Sequence, residues 1–270
     1  MRRRIVVAVT AVVLAACYAS VLRGMYVQWS NDEDMGHAFA VPIVILFIVW
    51  KERSRWMELP PQPSWWGLGL LAVAAFGQYL SVLGAGLFAG SVSFVVSVAG
   101  AVLYLGGISF LRIWAFPFLL ALFMLPKLAI VYNQVTLPLQ LLASQLAEVM
   151  LLASTASVTR DGNILDVNGH RIAVVEACSG IRYLLSLGFM AVVFAYLSDA
   201  KPWMRAALFA AAVPIAVLAN ATRVAVSAFV PALEAGTLHA LFGSLVFVMC
   251  LAMLLIVRGL LNSAYARYHA

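Results

Sequence analysis

The sequence predicts an all-α polytopic membrane protein of about eight transmembrane helices. Three observations carry this. Of 270 residues, 64% are hydrophobic and 10% charged, with a mean hydropathy of +1.00, whereas soluble domains are nearer half apolar and a quarter charged. Apolar runs long enough to cross a bilayer recur along the chain. A span takes about 20 residues, so eight take about 160 and leave no room for a separate soluble domain. Basic residues also alternate in number from one break between runs to the next, as topology requires. The chain is expected to be a single integral-membrane domain over residues 1–270.

The runs lie near residues 5–22, 37–50, 65–82, 86–106, 111–125, 180–198, 204–228 and 239–258. Loop signals separate them: Asn31-Asp32-Glu33-Asp34, Pro60-Pro61-Gln62-Pro63, Asp199-Ala200-Lys201-Pro202 and Pro231-Ala232-Leu233-Glu234. The first run follows Met1-Arg2-Arg3-Arg4 and passes Leu14-Ala15-Ala16-Cys17, which is similar to a lipoprotein signal. Because it continues to Leu22, it is read as a first spanning helix. Eleven of the seventeen basic residues fall on the side of the N-terminus, and eight of the eleven acidic residues on the other. The positive-inside rule then makes both termini cytoplasmic and the residue 126–179 loop extracytoplasmic. The net charge of +6 is a topological signal. A nucleic-acid binder gathers its basic residues on a soluble face, so no nucleic-acid partner is expected.

The long loop at about 126–179 opens with Asn133, Thr136, Gln140, Ser144 and Glu148. Their spacing of three or four marks one face of an amphipathic helix on or against the membrane surface, which Pro138 should kink or restart. Asn168-Gly169 then stands between Ile164-Leu165-Asp166-Val167 and Arg171-Ile172-Ala173-Val174-Val175. This is a β-hairpin signal, and it leads directly to the start of the sixth run.

At that start stands Glu176-Ala177-Cys178-Ser179-Gly180-Ile181-Arg182. A cysteine at a helix N-terminus near cationic groups is a candidate nucleophile. Asn220 and Arg223, three apart, share one side of the seventh run near its outer end, and His239 opens the eighth. The three bland readings are a packing cysteine, a snorkelling arginine and a surface histidine. What favours a site is that cysteine, arginine and histidine come from three helix ends on one membrane face. In acyl transfer Cys178 would attack a carbonyl, and His239 would move the proton. Arginine stays protonated at neutral pH, so Arg223 would hold an oxyanion. Cys17 and Cys250, inside apolar runs, read as packing residues, and no disulfide framework, metal-ligand spacing or cofactor motif is expected.

These motifs resemble those of the exosortase/archaeosortase family of transpeptidases. Glu-Ala-Cys178-Ser-Gly-Ile-Arg, Asn220-Ala-Thr-Arg223 and His239-Ala-Leu-Phe-Gly243 match in order, spacing and host helix. Gly36-His37-Ala-Phe-Ala-Val-Pro42 and Trp50-Lys51 are similar to a further exosortase pattern, in which glycine usually stands where this chain has Ala38. The histidine at position 239 is the exosortase form; archaeal relatives tend to have arginine there. The resemblance implies a thiol protease or transpeptidase of the bacterial inner membrane with its active site on the periplasmic face. Its partners would be membrane lipid and exported proteins that end in a Pro-Glu-Pro (PEP-CTERM) sorting signal, a spanning helix and a basic cluster. The catalytic set it implies is Cys178, Arg223 and His239, with Glu176, Asn220 and Arg182 in support. An outward pair of Arg182 and Arg223 would let one read the signal's acidic residue while the other serves catalysis. Relatives are often encoded beside exopolysaccharide genes. The alternative reading is a transporter or assembly component for exopolysaccharide export, although that class places ionisable groups near the midplane and carries internal repeats.

Overall fold

The computed structural model describes residues 2–154, 157–175, 179–198, 201–233 and 236–269. Helices α1 to α12 and three short strands make an all-α membrane fold with a small sheet. Among the described residues five helical stretches are long and apolar enough to cross a membrane: Glu33–Lys51, Trp66–Gly106 (two helices folded back on each other), Ala129–Ala153, Pro202–Phe229 and Gly236–Arg267. A bent pair at the N-terminus makes a sixth, and Ala115–Met124 and Ile181–Leu197 are shorter apolar helices. Each of the eight expected runs is therefore helical. The chain divides into two compact units, Met1–Leu128 and Ala129–Ala270.

In the first unit the opening run is not one rod. Helix α1 (Arg2–Cys17) ends at Tyr18, and α2 (Ala19–Asn31) leaves at 67°. No Pro or Gly marks this break. The buried Tyr18 occupies it, with its hydroxyl 2.7 Å from Ser97 Oγ. Cys17, expected to pack, is exposed. Helices α3 (Ala40–Lys51) and α4 (Arg53–Met57) follow. Then α5 (Trp66–Leu80) and α6 (Gly86–Gly106) fold back on each other around Gly84 and Gly86, both at positive φ. Their legs pack through glycines. A Cβ on Gly67 would lie 2.4 Å from the Tyr104 backbone, and one on Gly77 2.3 Å from Ser93 Oγ. Small residues let helix backbones approach closely where no hydrophobic force drives helices together in lipid.

Short helices α7 (Ile108–Ile113) and α8 (Ala115–Ala121) lead to a segment held by three donors. Trp29 Nε1–H donates to Met124 O at 3.0 Å, and His37 Nε2–H to Phe123 O at 3.1 Å. Lys127 Nζ lies 2.8 Å from Asp32 and 2.9 Å from Asp34. Burial opposes the lysine's charge, but its hydrogen bonds to the two carboxylates outweigh it and hold the pKa above lysine's usual range.

The second unit starts with α9 (Ala129–Ala153), which runs unbroken through Pro138. The middle of its polar stripe does not face out, although Asn133 is exposed and Glu148 half-buried. Thr136, Gln140 and Ser144 are buried, whereas Ile130, Val131, Val149 and Leu152 are more than half exposed. A helix lying at an interface keeps its polar face wet. This one hides it and shows lipid-compatible side chains, in keeping with a length sufficient to span.

Strands β1 (Val158–Asp161), β2 (Ile164–Val167) and β3 (His170–Ala173) form an antiparallel sheet in that order. The expected β2–β3 hairpin is present. Asn168 (φ 53°) and Gly169 (φ 85°) both take positive φ, as a two-residue type I′ turn requires. Ser144 Oγ donates to Gly162 O at 3.0 Å, and Arg160 pairs with Glu148 at 2.7 Å, docking the sheet on α9. Leu165, Val167 and Val174 join Ala143, Ala147 and Leu151 in one core with Val224, Ala225 and Ala228.

Helices α10 (Ile181–Leu197), α11 (Pro202–Phe229) and α12 (Gly236–His269) make the second core of this unit. It is built from Leu187, Ala191, Leu208, Ala212, Ile215, Val246 and the buried Cys250. Pro202 takes the first helical position of α11, where its missing N–H is no loss.

Candidate functional site

The buried stripe of α11 explains how polar groups come to be inside. Met204, Leu208, Ala212, Ile215 and Ala216 recur at helical spacing, and the same stripe continues as Asn220, Arg223 and Ser227. Polar residues thus occupy what the period makes core positions. Within a membrane helix that is costly, and it marks function more often than packing.

Arg223 is 5% exposed. A buried guanidinium must be compensated, yet among the described residues no carboxylate pairs with it. Its Nη2–H donates to His239 Nε2, its Cζ lies 5.7 Å from the centre of the Tyr183 ring, and its Nε has no hydrogen-bond partner among the described residues. The histidine is fixed from its other side. Its Nδ1 lies 2.7 Å from Leu233 O. A carbonyl only accepts, so Nδ1 carries the hydrogen and Nε2 offers the lone pair that Arg223 takes.

Two glycines bring the helices close enough for this. Gly180 at the start of α10 has φ 81°, and a Cβ there would sit 2.9 Å from Asn220 Cβ and Cγ. Gly243, one turn after His239, accepts the Tyr183 hydroxyl hydrogen bond at 3.2 Å. A Cβ on Gly243 would lie 3.3 Å from that hydroxyl and 3.6 Å from Arg223 Nη2.

Beside them opens a cavity of about 210 Å³ lined by Asn220, Arg223, Val224, Ser227 and His239 on one side and by residues 171–175 on the other. The structure thus joins three of the sequence-derived candidates: Asn220, Arg223 and His239. Arg182, half-buried in the first turn of α10, is not among the lining residues. Glu176 and Cys178 lie outside the described residues. Chain connectivity alone ties them to the site, because three residues join Val175 on the cavity wall to Ser179, next to the Gly180–Asn220 contact. Sequence reasoning missed Tyr183, Arg171 and Ser227. Ser227 was readable, since it stands four residues after Arg223 on the same stripe. Tyr183 carried no signal beyond its place next to Arg182. Among the described residues no three His, Cys, Asp or Glu side chains gather as a metal site.

A buried arginine and an oriented imidazole line one cavity of a polytopic helical protein, a pairing chemically suited to anion binding and proton transfer. The family model described as transmembrane exosortase matches residues 29–256, most of the chain. The chain belongs to that family, whose members are generally membrane cysteine transpeptidases acting on exported proteins with sorting signals. No curated protein and no solved structure matches it.

Proposed function

We propose that this exosortase is a cysteine transpeptidase of the inner membrane. It cleaves C-terminal Pro-Glu-Pro sorting signals at the periplasmic face and passes the new C-terminus to an acceptor. The observation that carries this reading is the buried Arg223, without a carboxylate among the described residues and in contact with His239 at the cavity. Such an arginine suits a charge that arrives with the substrate or develops during reaction.

In the proposed cycle Arg223 first passes from the imidazole to the scissile carbonyl oxygen, and the freed His239 Nε2 takes the proton of the Cys178 thiol. The sulfur attacks the scissile carbonyl carbon, a C–S bond forms and the carbonyl π pair moves to oxygen. Arg223, already at that oxygen, holds the oxyanion. Collapse breaks the C–N bond, and the amine departs with the proton held by His239. The acceptor then attacks the thioester, giving up its proton through His239 and restoring the thiol. One well-placed donor at an oxyanion is worth about 3–4 kcal/mol.

The test is co-expression of a tagged Pro-Glu-Pro protein with wild type or Cys178→Ser, in a host lacking other exosortases. Wild type is expected to convert the substrate and the variant to leave it intact. The mass of the new terminus distinguishes an acceptor adduct from a free acid. Equal conversion by both would remove the nucleophile and with it the mechanism.

A further inference from the structure

The cavity wall opposite Arg223 is the margin of a β-sheet. Five consecutive residues, Arg171 to Val175, line the cavity, and β3 is the terminal strand of the order β1-β2-β3. The register shows which backbone groups are used. Val167 pairs with His170 and Leu165 with Ile172, and Val174 N–H donates to Asn163 O at 2.8 Å. In an antiparallel pair closed by a two-residue turn, hydrogen-bonded positions alternate from the turn outward. Positions 170, 172 and 174 therefore bond inward to β2, and the N–H and C=O of Arg171, Ala173 and Val175 point to the open edge. All three of these residues are exposed.

An open edge is a template for another strand. Accepting the function proposed above, we infer that the edge of β3 binds the sorting signal by strand addition: an extended peptide pairs with Arg171, Ala173 and Val175, and the edge feeds it toward Arg223 and His239. Three observations choose this occupant. The edge is continuous with the candidate site. A cavity of about 210 Å³ is below the roughly 300 Å³ of small ligand pockets, so it takes a side chain or two and leaves the rest of a peptide on the rim. The rim also carries a cation: Arg171 is 81% exposed at its side chain, with the Asp166 carboxylate at 3.3 Å.

Strand pairing also accounts for a Pro-X-Pro signal. Proline lacks an N–H and is tolerated in a strand where the N–H would face away from its neighbour. Two prolines two residues apart both face away when the residue between them faces β3. The glutamate then bonds the edge through its own N–H and C=O. Opposite Ala173, its carboxylate lies on the face that carries Arg171, diagonal to it and within side-chain reach.

The experiment measures binding of a fluorescein-labelled Pro-Glu-Pro peptide to the full-length Cys178→Ser protein in nanodiscs by anisotropy, with wild-type cleavage of the same peptides in parallel. Replacing the amide by an ester at the glutamate, or two residues to either side, is expected to weaken binding three- to tenfold, the loss of about one hydrogen bond. An ester three residues away faces outward and is expected to have no effect. Ala173→Pro removes an edge N–H that β2 does not use and is expected to weaken binding about tenfold, whereas Ala173→Val keeps it. Equal affinity across the ester series overturns the edge, and so does absence of binding by the unmodified peptide. Binding with the two-residue alternation but no cleavage would keep the edge and sink the transpeptidase reading. Cleavage without the alternation would do the reverse.

Discussion

Gly180 shows how much a single residue decides at this site. It combines a left-handed backbone with an approach to Asn220 that leaves no room for a methyl group. Left-handed backbone costs an alanine about 1–2 kcal/mol, and the contact at 2.9 Å adds to that. Gly180→Ala is therefore expected to destabilise the protein by roughly 2–4 kcal/mol and to separate α10 from α11. A fall in thermal midpoint in detergent, together with lost processing, would show it. An unchanged midpoint would mean that this approach is not needed. The sequence showed this glycine within a motif, but φ is not written in a residue name. The same limit applies to Arg223 and His239. Helical spacing placed both on one membrane face, and their mutual hydrogen bond depends on a tertiary contact, Leu233 O, which turns the imidazole.

The elements were legible to different degrees for physical reasons. The eight apolar runs and the Asn168-Gly169 turn were readable because hydropathy and turn chemistry are local. The break at Tyr18 was not, because a tertiary hydrogen bond to Ser97 holds a bend that no local breaker announces. Strand β1 was missed because Val158-Thr159-Arg160-Asp161 lacks apolar alternation; it is held by pairing with β2 and by the Arg160–Glu148 bridge. For α9, spacing identified a polar face but not whether that face meets water or protein. The Lys127 clamp is a further long-range feature. Replacing Lys127 with Met leaves Asp32 and the 7% exposed Asp34 without their cation, an expected loss of about 1–3 kcal/mol. The folded pKa of Lys127 lies above its unfolded value. The clamp's contribution is thus complete below about pH 10.4 and is lost only as pH climbs through the raised folded value. Thermal midpoints of wild type and Lys127→Met should differ by a constant amount between about pH 7 and 9. A gap that closes in that window would contradict the assignment.

Over the whole molecule large apolar side chains stand on the surface while some polar ones are buried. Ser91, Ser97, Thr136, Gln140, Asn220 and Arg223 are buried, while Val12, Ile43, Leu46, Trp66, Val82 and Ile130 are at least two-thirds exposed. This is the surface a bilayer selects. The orientation inferred from Lys and Arg puts the sheet and cavity on the extracytoplasmic side, although α9 is itself long enough to cross. A cysteine at the exposed Thr159, in a background free of the native cysteines, is expected to react with an impermeant thiol reagent on intact spheroplasts. Reaction only after permeabilisation would reverse the assignment. Arg223 takes the lone pair of the His239 imidazole. On the function proposed above, that contact doubles as a latch: the imidazole becomes a base for the thiol as the guanidinium passes to the substrate oxygen.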